Sequence, residues 1–167
     1  KVNNSVHSEW SSFSKTFPLE DENIISELLD ENNKSIPDHF RQFRAPKVDI
    51  LVPSQQIENA INLFAYLPLS STQYKLEYIV NADFIPNLDR SNIIDLSYNF
   101  KLAEFAGLQV LKACESFALN REFQRIKQLF PIYENESNRF KNTLQQSFLA
   151  RVERSALFPS HYDNNHS

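Results

Sequence analysis

Hydrophobic positions follow a two-residue period through much of the first half of this chain and a three-to-four-residue period through the second. Strands are therefore expected first and helices after. From Trp10 to Phe17 apolar side chains fall at 10, 13 and 17 among small polar ones, which reads as a short strand ended by Pro18. "DENIISELLDEN" follows as a helix, with Asp21 as N-cap and Ile24, Ile25, Leu28 and Leu29 along one face. "NNKSIPDHFRQFR" reads as a loop entering one short helical turn. "KVDILVP" sets Val48, Ile50 and Val52 on one side of a strand that Pro53 stops. The apolar run Ile61–Leu69 reads as a second strand of this sheet. "YKLEYIVNADF" is a third, with Leu76, Tyr78, Val80 and Ala82 on one face and an end at Phe84.

Beyond Asp95 the period changes. Phe100, Ala103, Ala106, Leu108, Leu111, Cys114 and Phe117 give a wide apolar face, so a long, substantially buried helix is expected. Gly107 in its interior costs about 1 kcal/mol relative to alanine. Close approach of another backbone is the first reason to keep it there, and a hinge the second. Asn120 is placed to cap a further helix, "REFQRIKQLF", with Phe123, Ile126, Leu129 and Phe130 inward and Pro131 as its stop. The last helix lies in "ESNRFKNTLQQSFLARVERSALF", with Phe140, Leu144, Phe148 and Val152 inward. The fold class is thus α+β, a small N-terminal sheet covered by long helices with an all-helical C-terminal part. Residues 1–119 read as the sheet-plus-helix domain and 120–167 as a helical extension packed on it, either the same domain or the start of another. The helix from about Asp95 to Leu119 is expected on the sheet formed by 48–52, 61–67 and 75–84.

Composition narrows the chemistry. With 41% hydrophobic and 23% charged residues in 167, the chain can bury a core. A net charge of −4 and a pI near 5.6 speak against non-specific nucleic-acid binding. Arg41, Arg44 and Lys47 form the one local basic trio, read as solvated surface. The single cysteine, Cys114, sits among Val110, Leu111, Ala113 and Phe117 and reads as a buried core thiol. No run of about 18 apolar residues is present, so no membrane partner is expected and the reading is cytoplasmic. The chain begins with lysine and contains no methionine, which reads as an internal piece of a longer protein.

One glycine excludes a P-loop or a dinucleotide turn, because those loops bring several backbone N–H groups onto phosphate without an intervening Cβ. His7, His39, His161 and His166 have no metal-ligand spacing, so no metal site is expected. The pairs Asp21/Glu22 and Asp30/Glu31 sit at helix ends, where carboxylates favour the dipole. What stands out is "VNADFIPNLDRSNI", with Arg90 in a short loop between a strand and a helix. Asn81 and Asp83, on the strand face opposite Val80, Ala82 and Phe84, are expected to bond the loop and hold the backbone of Arg90.

The same stretch carries a resemblance. "INLFAYLPL…YKLEYIVNADFIPNLDRSNI", with "IPDHFRQFRAPKVDILV" ahead of it, resembles the segment following the nucleotide-binding domain in sacsin-like members of the GHKL ATPase superfamily. These are relatives of the ninety-kilodalton heat-shock chaperones. The resemblance covers most of residues 36–120 and implies a middle-domain-like fold. In the chaperones an N-I-S-R-E loop enters a helix, and its arginine reaches the γ-phosphate of ATP held by the neighbouring domain. Asn87, Leu88, Asp89 and Arg90 lie over the first four positions, with Ser91 where glutamate would stand. Several sacsin-like proteins have Trp-Asn a little downstream, where this chain has Tyr98-Asn99.

The resemblance makes Arg90 the candidate catalytic residue. Asn87 becomes a candidate phosphate contact, although beside Pro86 it also reads as a turn former. ATP and magnesium are implied for the parent protein only, with no cofactor in this fragment. The expected partner is the nucleotide-binding domain of the same longer chain, with a protein client or a homodimer as further options. The alternative is a non-catalytic interaction scaffold on the same fold. A weaker one, a small hydrolase, needs a pocket with a histidine near a serine or carboxylate.

Overall fold

The computed structural model describes residues 9–42, 44–55, 62–70, 74, 76–130, 138–155 and 157. Its first strand, β1 (Trp10–Thr16), pairs antiparallel with β2 (Lys47–Pro53) from Trp10↔Pro53 to Thr16↔Lys47. Between them lie helix α1 (Glu22–Leu29) and a 3₁₀ turn, Asp38–Gln42. Strands β3 (Leu63–Ala65), β4 (Leu67–Pro68) and β5 (Ile79–Ala82) complete a five-stranded sheet of order β1-β2-β5-β3-β4. β5 is antiparallel to β2, β3 is parallel to β5, and β4 folds back on β3. The helical part is α2 (Ser97–Leu119), α3 (Phe123–Leu129) and α4 (Arg139–Val152). The protein is an α+β fold, strands before long helices as the hydrophobic periods require.

β2 lies inside the sheet, and its alternation decides which face is covered. Val48, Ile50 and Val52 are wholly buried, and α2 packs on this strand. β5 is shorter than the strand expected over 75–84, but the expected face holds: Val80 and Ala82 on it are buried, as is Tyr78 just ahead of it, with Leu76 half-buried. The run 61–69 departs from one continuous strand. Tyr66 has φ 61° and turns the chain back, so that Ala65 pairs with Leu67. An aromatic residue inside an apolar run gives no turn signal, and a left-handed backbone there costs roughly 1–2 kcal/mol. Pro68 is tolerated because β4 is an edge strand.

Helix ends are secured by local caps and by residues distant in sequence. Asp21 caps α1 as expected, accepting from the N–H of Asn23 and of Ile24. The far end of α1 is held by Arg41, so the reading as solvated surface holds for exposed Arg44 and Lys47 and is corrected for Arg41. The Arg41 guanidinium donates to the carbonyls of Leu28, Asp30, Asn33 and Ile36 and to the Asp38 carboxylate. Those carbonyls lie at and just beyond the C-terminus of α1, where acceptors lack helical partners. Helix α2 begins after Leu96, which has no capping side chain; the Glu27 carboxylate of α1 instead accepts from Ser97 and Tyr98 N–H, each at 3.2 Å. Asn120 is the C-cap of α2 and does not cap α3, whose N-cap is Glu122, without a side-chain bond. The chain reverses there through Arg121, at φ 61°.

Helix α4 lies against α2 through Phe140, Leu144 and Phe148, with Val152 at the margin. Gly107 faces the backbone of α4, the close approach expected from its place in the helix. Arg125 fastens α3 to the sheet. Its guanidinium stacks over Phe117 and donates to Ser11 Oγ, Val52 O and Glu122. Phe123 is half-buried and Phe130 partly exposed, so Ile126 and Leu129 are the residues of α3 that reach the core. Pro131 and the chain termini lie outside the described residues. Among the described residues no helix is long and apolar enough to cross a membrane.

Cys114 is buried on α2, and burial, aided by the charge of Glu115, pushes its thiol up to about 12. Roughly 10³-fold less thiolate than for an ordinary cysteine is then present near neutral pH. Iodoacetamide should label native protein about 10³-fold more slowly than urea-unfolded protein. Equal rates in the two states would contradict burial of this thiol.

Candidate functional site

Residues 85–94 leave the sheet after β5 and return to the start of α2, and their bonding makes a closed loop. Ile94 N–H donates to Ile85 O at 3.1 Å, and Pro86 and Ile93 form a bridge. Asn99, wholly buried in the first turn of α2, joins both ends. Its Oδ1 accepts from Ile85 N–H at 2.9 Å, and its Nδ2 donates to Ile85 O and Ile94 O. Sequence reading overlooked this role. The available signal was an amide among buried positions of an apolar helix face, where a polar group needs partners.

Asn87 is bonded within the loop. Its N–H donates to Asn92 O, its Oδ1 accepts from Asn92 N–H, and its Nδ2 donates to Ser91 Oγ. This is the geometry of a turn former. Asp89 accepts from Ser91 N–H and Oγ–H, and these bonds hold its carboxyl below the ordinary range. The Tyr74 hydroxyl bonds Asn92 Oδ1 and ties the loop to the segment before β5.

Arg90 has φ 55°, which is uncommon for any residue but glycine. Asn87 O accepts from its N–H, and its carbonyl accepts from Ser70 N–H at 3.0 Å. Its side chain runs to the β3–β4 turn, where Nη2 donates to Ala65 O at 2.8 Å and Leu67 O at 3.0 Å. Nε is buried without a partner among the described residues.

Asn81 and Asp83 do not hold the backbone of Arg90; Asn81 holds the turn that Arg90 reaches, and Asp83 holds the start of β2. Asn81 Oδ1 accepts from Tyr66 N–H at 3.2 Å, and its Nδ2 donates to Asp49. Buried Asp83 accepts from Lys47 N–H at 2.7 Å. The neighbouring Asp83 carboxylate, with burial second, pushes the Tyr66 hydroxyl up to about 12. The reason for the difference is register. Asn81 pairs with Phe64, so its side chain lies beside the β3–β4 turn.

Beside polar Asn87, Asp89 and Ser91, three large apolar residues near Arg90 in sequence or contact are exposed. Tyr66 and Leu67 are 68% and 61% exposed, and Leu88 at the loop tip is fully so. The three belong to the two turns that the guanidinium links.

Other chemistry is sparse. Among the described residues no group of three metal-ligating side chains occurs. An open groove of about 460 Å³, lined by Glu31, Lys34, Ile36, Pro37, Asp38 and Arg41, contains no histidine. His39 lies on the surface against Phe40, and the other histidines fall outside the described residues. No family model, curated protein or solved structure matches the chain.

Proposed function

We propose that this chain is the middle domain of a sacsin-like, heat-shock-chaperone-type GHKL ATPase. It docks on the nucleotide-binding domain of the same longer polypeptide and delivers Arg90 to the γ-phosphate of ATP. One observation carries the reading: Arg90, held left-handed in a pinned loop, is joined by its guanidinium to the left-handed Tyr66 turn. Left-handed non-glycine residues cost of order 1–3 kcal/mol each and gather at functional sites. Exposed Tyr66, Leu67 and Leu88 supply apolar area for a docked domain, with the cation among them. A guanidinium, always charged and planar, suits charge developing on transferring phosphoryl oxygens. Nucleotide and magnesium belong to the neighbouring domain. This chain supplies the charge and the docking face.

Arg90→Ala in the full-length chain should lower steady-state ATP turnover about 10²-fold or more, equivalent to about 2.7 kcal/mol of barrier. Unchanged turnover would remove Arg90 from the mechanism. A second reading is a non-catalytic scaffold of the same fold, favoured by the attachment of Nη2 to two backbone carbonyls. Absence of turnover in both wild type and variant would favour it.

A further inference from the structure

The two edges of the sheet are finished differently. β4 is two residues long and contains Pro68, so the edge beside the Tyr66 turn offers little to another strand. β1 is seven residues long, contains no proline, and pairs with β2 one-to-one from Trp10 to Thr16, without a bulge. Among the described residues no strand lies on its outer side. We propose that this edge is a self-association site, at which β1 of a second copy of the chain pairs antiparallel about a two-fold axis at Phe13. The site lies at the sheet edge opposite the one that Arg90 reaches, and it does not depend on the ATPase reading.

Hydrogen-bond parity decides which backbone groups this edge offers. At the two ends of the β1–β2 ladder, Phe17 N–H donates to Pro46 O and Ser54 N–H to Glu9 O, each at 2.9 Å. Bonded and non-bonded pairs alternate along an antiparallel ladder. Ser11, Phe13 and Lys15 therefore bond β2, while Ser12, Ser14 and Thr16 turn their N–H and C=O outward. A two-fold axis at Phe13 sets Ser12 opposite Ser14 of the second copy, and Ser14 opposite its Ser12. Both pairs are of the bonded kind, and each exchanges two N–H···O bonds. Phe13 is the middle residue of β1, so this axis is the one that overlaps the whole strand. Charge agrees with it. Lys15 falls opposite Ser11, whereas an axis at Lys15 would set two ammonium groups face to face. Ser11 Oγ accepts from Arg125, whose ion-pair partner Glu122 has a side chain 39% exposed and open to a second cation. The pairing uses up the β1 edge of both copies and leaves only the blunted β4 edges, so it closes at two.

Ser12→Pro removes an outward N–H from each copy and leaves the β1–β2 ladder intact, because proline is tolerated where a strand's N–H faces solvent. Sedimentation velocity of the 167-residue chain should show dimer in equilibrium with monomer at about 100 μM, as suits an interface of small area. Ser12→Pro should weaken that dimer about tenfold or more. Cysteines read the register without relying on proline. Ser12 and Ser14 are exposed, and opposite residues of a bonded pair lie about 5.5 Å apart at Cα, within disulfide reach. Under mild oxidation, a mixture of Ser12→Cys and Ser14→Cys chains should cross-link more than either chain alone; Cys114 is buried and offers no competing thiol. Wild type that stays monomeric at that concentration would overturn the proposal. So would a dimer as tight in Ser12→Pro as in wild type, or cross-linking no greater in the mixture than in either chain alone. If Ser12→Pro fails to fold, the cross-linking decides by itself.

Discussion

Gly107→Ala should destabilise the protein by about 3 kcal/mol or more, although alanine is the better helix former. A Cβ built on Gly107 lies 2.2 Å from Leu144 O, 3.1 Å from Ser147 Cβ and 3.2 Å from Leu144 C. The first contact falls at least about 1 Å short of ordinary van der Waals separation. It is also made with backbone, so no side-chain rotation relieves it. Propensity favours alanine by about 1 kcal/mol, whereas overpacking in a close-packed core costs typically about 1–3 kcal/mol and sometimes more. Relief requires α4 to move away from α2, which would loosen Phe140, Leu144 and Phe148 together and break the 2.8 Å bond from Ser147 Oγ to Glu104 O. The clash should therefore outweigh the propensity gain. Urea unfolding should show a lower midpoint with an unchanged slope, the mark of altered stability in an unaltered transition. A midpoint at or above wild type would mean that α2 and α4 are not in this contact.

That glycine was legible from sequence, and the reason separates what could be read from what could not. A lone glycine in a long apolar helix is costly unless something needs the space, so its presence pointed to a close neighbour. Likewise, Val48, Ile50 and Val52 can share a buried face only on a strand, and the wide stripe from Phe100 to Phe117 only on a helix. These inferences use periods local to each element. The failures are interactions set by tertiary position. Glu27 caps a helix 70 residues away, and Arg41 holds the end of α1 across a loop. Neither leaves a spacing signature, because any acid or arginine on the surface looks the same in sequence. Tyr66 is the sharpest case. Its left-handed backbone is held by Asn81 and Arg90 acting from elsewhere in the fold, and the residue itself prefers a strand. At the candidate site, Arg90 was picked out by its position. Its partners escaped notice because backbone carbonyls have no residue identity to read.

Asn99→Leu should cost about 3 kcal/mol and release the loop that carries Arg90. Leucine has the branched shape of asparagine and is somewhat larger, so no cavity is left and the loss reflects missing hydrogen bonds with some overpacking. Three bonds disappear, and their consequences are unequal. Ile85 O keeps the N–H of Ile94 as a donor and is not orphaned. Ile85 N–H is buried and loses its acceptor, a desolvation penalty of about 1–3 kcal/mol. Ile94 O is only partly buried and should recover some hydration, which puts its loss at the lower end of that range. Two such terms give the expected total. Asn99→Asp should be no better, since a carboxylate keeps the acceptor for Ile85 N–H but offers the two carbonyls no donor and adds a buried charge. The effect should also be local. Hydrogen exchange across residues 85–94 should accelerate in Asn99→Leu more than exchange in β2, because those loop amides no longer depend only on global unfolding. Stability within about 1 kcal/mol of wild type, with unchanged exchange in the loop, would show that the bridge and turn bonds from Pro86 to Ile93 suffice to hold Arg90. Loss of both stability and loop protection would make Asn99, rather than Asn81 or Asp83, the residue through which the long helix fixes the arginine.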